Sequence, residues 1–138
     1  MDNYYFYQRI TKDEEIGKVT NDVVENILKH NVNEENLEKI RKVVYEAEKN
    51  IKLYAKAGEI YARVEGNSFK AKFKDEGPGI DNIGLACEDG YSTATETMKK
   101  QGYGLGKGLS LIQENVDYID IVSIPGVGTT LDILIEMV

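Results

Sequence analysis

The sequence predicts an α/β sandwich, a mixed, mainly antiparallel sheet with helices packed on one face. Three observations lead there. Apolar residues recur at helical spacing in two long segments, residues 16–28 and 37–55. Alternating apolar and polar runs come in sequential pairs, 59–65 with 68–75 and 118–123 with 129–137. Each pair is joined by a short glycine-containing turn, which suits hairpins better than crossover connections.

Residues 4–10 are aromatic-rich and read as an opening strand. From about 13 to 30, Ile16, Val19, Val23, Val24, Ile27 and Leu28 predict the first helix. Asn31-Val32-Asn33 breaks it, and Asn33 is placed to cap a second helix over about 34–56. There Leu37, Ile40, Val44, Ala47, Ile51 and Ala55 form one stripe, with Gly58 in position to end the helix. Ile60, Ala62 and Val64 alternate through the next strand, and Gly66-Asn67 turns the chain back. In the returning strand Phe69, Ala71 and Phe73 share one face, and Ser68, Lys70, Lys72 and Lys74 share the other. After Gly77-Pro78-Gly79 a short helix is expected to carry Ile83, Leu85, Ala86 and Cys87. Residues 90–103 are polar, rich in Thr and Gly, and without apolar period. A third clear helix over about 105–116 leads to the closing hairpin, turned at Pro125-Gly126-Val127-Gly128.

A chain of 138 residues suits one domain, 1–138, with no internal repeat. Its charged fraction of 30% and hydrophobic fraction of 41% are those of a globular protein. The net charge of −7 argues against nucleic acid or an anionic membrane as partner. An anionic ligand must therefore be held by local backbone donors or a metal. No apolar run approaches about 18 residues and no charged-then-apolar leader is present, so neither a membrane span nor a signal peptide is expected. The single Cys87 cannot form an internal disulfide and suits a reducing cytoplasm, and one His with one Cys argues against zinc. His30 is read as a cation at a helix end.

Asp75 continues the parity of Phe69, Ala71 and Phe73, so the pleat aims its carboxylate inward at the strand's end. An inward charge needs a donor, and a nucleobase amino group is a natural one. The glycines in Asp75-Glu76-Gly77-Pro78-Gly79-Ile80 let a flat ligand come close. One turn apart on the second helix, Glu46 and Asn50 share a flank, with Asn50 nearer the apolar stripe and Glu46 nearer solvent. An amide oxygen there can ligate Mg²⁺, and the carboxylate can serve as a general base. The same pair also suits a solvated glutamate beside a local hydrogen-bonder. Gly102-Tyr103-Gly104-Leu105-Gly106-Lys107-Gly108 runs into the third helix and exposes N–H groups that suit phosphate. It is neither a P-loop, which needs Gly at Gln101 and Ser or Thr at Gly108, nor a dinucleotide fingerprint. Gly128-Thr129-Thr130 opens the last strand, where Thr also favours β structure. The Tyr-rich start suits a packed strand or a dimer contact, which leaves a homodimer open.

In order, these segments resemble the Bergerat ATP-binding fold shared by gyrase, Hsp90, histidine kinases and MutL. The resemblance runs over about 14–137 and is greatest to the bacterial anti-sigma-factor and switch serine kinases of partner-switching systems. It rests on Tyr45-Glu46-Ala47-Glu48-Lys49-Asn50, Asp75-Glu76-Gly77-Pro78-Gly79-Ile80, Asp89-Gly90-Tyr91-Ser92-Thr93 and Gly104-Leu105-Gly106-Lys107-Gly108-Leu109. It implies ATP and Mg²⁺ as cofactors. Asp75 would accept from the adenine amino group, with Gly77, Gly79, Ile80 and Thr130 near the nucleotide. Asn50 would ligate Mg²⁺, and Glu46 would deprotonate a serine or threonine on a partner protein. Residues 90–103, with Ser92 and Thr93, would form an ATP lid, and Gly104, Leu105, Gly106, Lys107 and Gly108 would surround the phosphates. Two positions depart from the family pattern: Tyr54 stands where His is common, and Lys107 replaces a small or apolar residue.

The function implied is an ATP-dependent serine/threonine protein kinase acting on a small antagonist protein. A new phosphate charge in a desolvated interface would then switch partners. The alternative is a nucleotide-gated module that sequesters a sigma factor or output protein without relevant phosphotransfer. A detached histidine-kinase ATPase domain ranks third, because no phosphoacceptor helix is expected before Tyr4 and His30 lacks a charged partner motif.

Overall fold

The computed structural model describes residues 6–77 and 108–137. Its elements are β1 (Phe6–Ile10), α1 (Lys18–Ile27) with a 3-10 turn (Leu28–His30), α2 (Glu34–Tyr54), β2 (Ala57–Glu65), β3 (Ser68–Glu76), α3 (Gly108–Asn115), β4 (Tyr118–Ile124) and β5 (Gly128–Glu136). The five strands form one sheet in the order β1-β2-β3-β5-β4. Every pairing among the described residues is antiparallel, so the mixed character expected of the sheet is not seen there. Both hairpins form: β2 meets β3 through a two-residue turn, with Glu65 opposite Ser68, and β4 meets β5 with Ile124 opposite Gly128.

Strand parity builds the two-layer core. Ile60, Ala62 and Val64 of β2, Phe69, Ala71 and Phe73 of β3, and Leu131, Ile133 and Ile135 of β5 are all buried on one face. Ile40, Val43, Val44, Ala47 and Ile51 of α2 and Val19, Val23 and Ile27 of α1 belong to the same cluster, as does Ile112 of α3. The opposite sheet face carries Tyr7, Tyr61, Lys72 and Tyr118 and is exposed. Among the described residues no helix is long and apolar enough to cross a membrane.

Two helix boundaries differ from the periodicity. The first helix starts at Lys18, not near residue 13, because Gly17 takes a left-handed φ of 107° that is accessible at low cost to glycine. The second behaves as expected at its start, where Asn33 Oδ1 accepts from Asn36 N at 2.8 Å. It ends at Tyr54, with Ala55 already extended. Gly58 is therefore not its terminator. It lies within β2, opposite Asp75, where a Cβ would come 2.8 Å from Ile51 Cγ2 and 2.9 Å from the Lys74 carbonyl oxygen. The glycine lets helix and strand approach. The short helix expected to carry Cys87 lies outside the described residues.

Candidate nucleotide-binding site

Asp75 stands at the inner end of β3 and is half-buried, as its parity requires. Its Oδ1 accepts from the backbone N–H of Thr129 at 3.1 Å. Burial raises the carboxyl above its ordinary range, and the Thr129 bond only partly opposes this. Glycines surround it. Gly58 faces it across the β2 pairing. A Cβ on Gly77 would lie 3.1 Å from Asp75 Oδ1, and one on Gly128 would overlap the Asp75 carbonyl oxygen. A carboxylate with one oxygen engaged, flanked by residues without side chains, can accept from the amino edge of a flat ring.

The second half of the site comes from α2 and α3. A Cβ on Gly108, the first residue of α3, would lie 2.9 Å from Asn50 Nδ2 and 3.1 Å from Asn50 Oδ1. The Asn50 amide thus meets the start of α3 directly, and it makes no hydrogen bond among the described residues. Four residues on, the buried Tyr54 hydroxyl also has no hydrogen-bond partner. One turn before Asn50, the Glu46 carboxylate is held by Lys49 Nζ, 3.0 Å from Oε1 and 3.1 Å from Oε2. Lys49 in turn sits over the Tyr45 ring at 5.7 Å. Glu46 opens onto a groove of roughly 610 Å³, whose walls are the start of α1 (Thr20, Asn21), α2 (Lys42, Tyr45) and α3 (Leu111). Gly108 meets Asn50, and Glu46 and Leu111 line one groove, so α3 packs beside α2.

These donors fit a magnesium nucleotide better than a protein-caged metal. Among the described residues no group of three His, Cys, Asp or Glu side chains could hold an ion. Asn50 offers an amide oxygen that no hydrogen bond among the described residues engages, and Mg²⁺ commonly takes one or two protein ligands and fills its shell with phosphate oxygens and water. The unpartnered Tyr54 hydroxyl nearby is a further polar atom that a ligand could satisfy.

Of the site residues expected from sequence, Glu46, Asn50, Asp75, Gly77 and Gly108 fall on the helix-facing side of the sheet. Thr130 does not. It pairs with Lys74, whose side chain points to the exposed face, so Thr130 shares that opposite face. Thr129 takes the inward place beside Asp75. Gly79, Ile80, Ser92, Thr93, Gly104, Leu105, Gly106 and Lys107, and the lid expected over 90–103, lie outside the described residues.

Sequence reasoning also passed over Glu48. Its carboxylate is fully buried and accepts from Gly17 N, Val19 N, Thr20 N and Thr20 Oγ1 at 2.6–3.3 Å, while Lys52 Nζ donates to it at 2.7 Å. Lys52 Nζ also donates to the Glu15 carbonyl at 2.7 Å. Burial alone would raise the Glu48 carboxyl, but the donors Lys52, Thr20 and Gly17 outweigh it and hold the group below its ordinary value. The available signal was position: Glu48 and Lys52 adjoin Val44, Ala47, Ile51 and Ala55 on the helical wheel.

Residues 11–138 match the histidine kinase-, DNA gyrase B- and HSP90-like ATPase family. The chain belongs to this family. It is 33% identical over 97 residues to the serine/threonine-protein kinase RsbT of Bacillus subtilis (strain 168), covering 67% of each chain. It is 29% identical over 98 residues to the anti-sigma F factor of Halalkalibacterium halodurans, covering 67% of this chain and 64% of that one. Among solved structures, the catalytic domain of histidine kinase ThkA superposes with a TM-score of 0.57 at 18% identity, covering 96% of both chains. Acinetobacter baumannii histidine kinase AdeS gives 0.54 at 17% identity, over 96% of this chain and 68% of that one. Those two likenesses speak for the fold, and the family match extends it to an ATPase domain.

Proposed function

We propose that this chain is an ATP-dependent serine/threonine protein kinase of a partner-switching system, acting in the cytoplasm on a small antagonist protein. The observation that carries the reading is the position of Glu46, one helical turn from Asn50 and lining a groove. ATP and Mg²⁺ need Asp75 and Asn50 but no carboxylate at position 46, whereas phosphoryl transfer to a protein hydroxyl needs a base close to the phosphate and open to the partner. Bound Mg-ATP would supply the transferable phosphoryl group. Asp75, with Thr129 fixing one of its oxygens, would orient the adenine, Asn50 would hold Mg²⁺, and Glu46 would take the proton from a serine or threonine hydroxyl. The relative named a serine/threonine-protein kinase supports this reading.

A second reading is a nucleotide-gated module that sequesters a sigma factor or output protein. The relative named an anti-sigma factor favours it. Glu46→Gln separates the two readings. The kinase reading expects unchanged ATP affinity by calorimetry and loss of phosphoserine on a partner captured from native cytosol with ATP. Undiminished phosphorylation by this variant would remove Glu46 as base. A partner captured stoichiometrically, with no phosphate on it even with the wild type, would favour sequestration.

A further inference from the structure

The groove beside Glu46 has a spacing that specifies what it accepts, an inference that rests on the kinase reading above. Lys42 lies four residues before Glu46 on α2 and lines the same groove. Residues four apart in a helix are about 6 Å apart along the axis and stack on one flank. In an extended peptide, residues two apart point to the same side and are about 6.6 Å apart. A strand laid along α2 would therefore present one side chain to Glu46 and the side chain two positions away to Lys42. Lys42 is exposed and makes no ion pair among the described residues. Arg41 lines the groove as well, but its guanidinium is already engaged by Asn21 Oδ1 at 3.3 Å and Glu38 Oε1 at 3.8 Å. Tyr45 and Leu111 add apolar surface to the same groove. On the α3 wall stands Glu114, which forms no salt bridge with Lys42 and weakens, without cancelling, its pull on an anion.

We infer that the groove between α1, α2 and α3 binds an extended segment of the partner protein that carries an acidic residue two positions from the acceptor hydroxyl, with Lys42 as the specificity-determining residue.

The test uses fluorescein-labelled nonapeptides with a central serine and Asp, Asn or Lys placed two positions before or after it, plus controls with Asp three positions away. Binding is read by anisotropy against the full chain in the presence of Mg²⁺ and a non-hydrolysable ATP analogue. At one of the two sites, Asp is expected to bind about fivefold tighter than Asn, the upper range for an exposed ion pair. Lys42→Ala should abolish that preference, Lys42→Glu should invert it toward the Lys peptide, and Glu114→Gln should strengthen it. Equal binding of Asp and Asn peptides, equal binding with Asp three positions away, a preference that survives Lys42→Glu, or no binding of any peptide would each overturn the inference. Because Lys42 is exposed, circular dichroism is expected to show its variants folded. The same peptides with Mg-ATP test the kinase reading separately. An Asp preference without phosphoserine would keep the groove and reject the kinase, whereas phosphoserine formed without regard to Asp would do the reverse.

Discussion

At the scale of single residues, the role proposed for Asp75 runs against stability. Its carboxyl is raised by burial, so the folded chain binds that proton more tightly than the unfolded chain does. Keeping Asp75 ionised at neutral pH therefore costs the fold free energy, and this contribution becomes favourable as pH falls. Asp75→Asn removes the buried charge and leaves an amide oxygen able to accept from Thr129 N. Calorimetry should show ATP binding lost, and thermal unfolding without nucleotide should show a melting temperature equal to or above that of the wild type. Unchanged ATP affinity would overturn the assignment of the nucleotide site. Tyr54 allows a parallel test, since its buried hydroxyl has no internal partner to lose. Tyr54→Phe should leave unfolding within about 0.5 kcal/mol of wild type. ATP affinity should fall severalfold if a ligand satisfies that hydroxyl, an outcome calorimetry reads directly. Asp75 was legible from parity within its own strand. Thr129 was legible by the same rule, since it shares the parity of the buried Leu131, Ile133 and Ile135, and choosing Thr130 overlooked that alternation.

At the scale of elements, helices and strands were legible wherever apolar residues marked a single period, as in α2, β2 and β3. Their ends were less so. Gly58 illustrates why: glycine after a helical stripe reads as a terminator, while here it serves the contact between α2 and β2. Gly58→Ala would push a methyl group against Ile51 and the Lys74 carbonyl oxygen. A loss of about 1–3 kcal/mol in urea unfolding is expected, as for overpacked cores. A helix-terminating glycine at a positive φ would also lose stability, so the partner substitution decides. Ile51→Ala, which removes the Cγ2 methyl, should cost less in the Gly58→Ala background than in the wild type if the clash is with Ile51. Additive losses would show that the packing explanation is wrong. The start of α1 was hidden for a related reason. Its donors are satisfied by a carboxylate 28 residues or more away in sequence, and no local capping pattern records that partner.

At the scale of the whole molecule, Glu48 and Lys52 join the α1 entry to the helix that also carries Glu46 and Asn50. Periodicity counts apolar residues and so passes over a charged pair that is buried because each member satisfies the other. Breaking such a pair leaves one charge uncompensated, which costs about 3–5 kcal/mol. Glu48→Gln should therefore lower stability at pH 7 by about that amount, since the buried Lys52 charge would be left with only neutral acceptors such as the Glu15 carbonyl. The pH dependence follows from the direction of the shift. The Glu48 carboxyl is depressed in the fold relative to its ordinary value of 4.5, so its contribution is fully present above that value and is lost as pH falls through the lower folded pKa. Urea unfolding from pH 7 to pH 3 should show the wild type descending toward the variant, with the gap constant above about pH 5 and closing only in acid. Asp75 works in the opposite direction over this range, so the difference between wild type and Glu48→Gln, rather than either curve alone, isolates the buried pair. A gap that persists unchanged at pH 3 would mean that Glu48 acts through shape and hydrogen bonding, not charge.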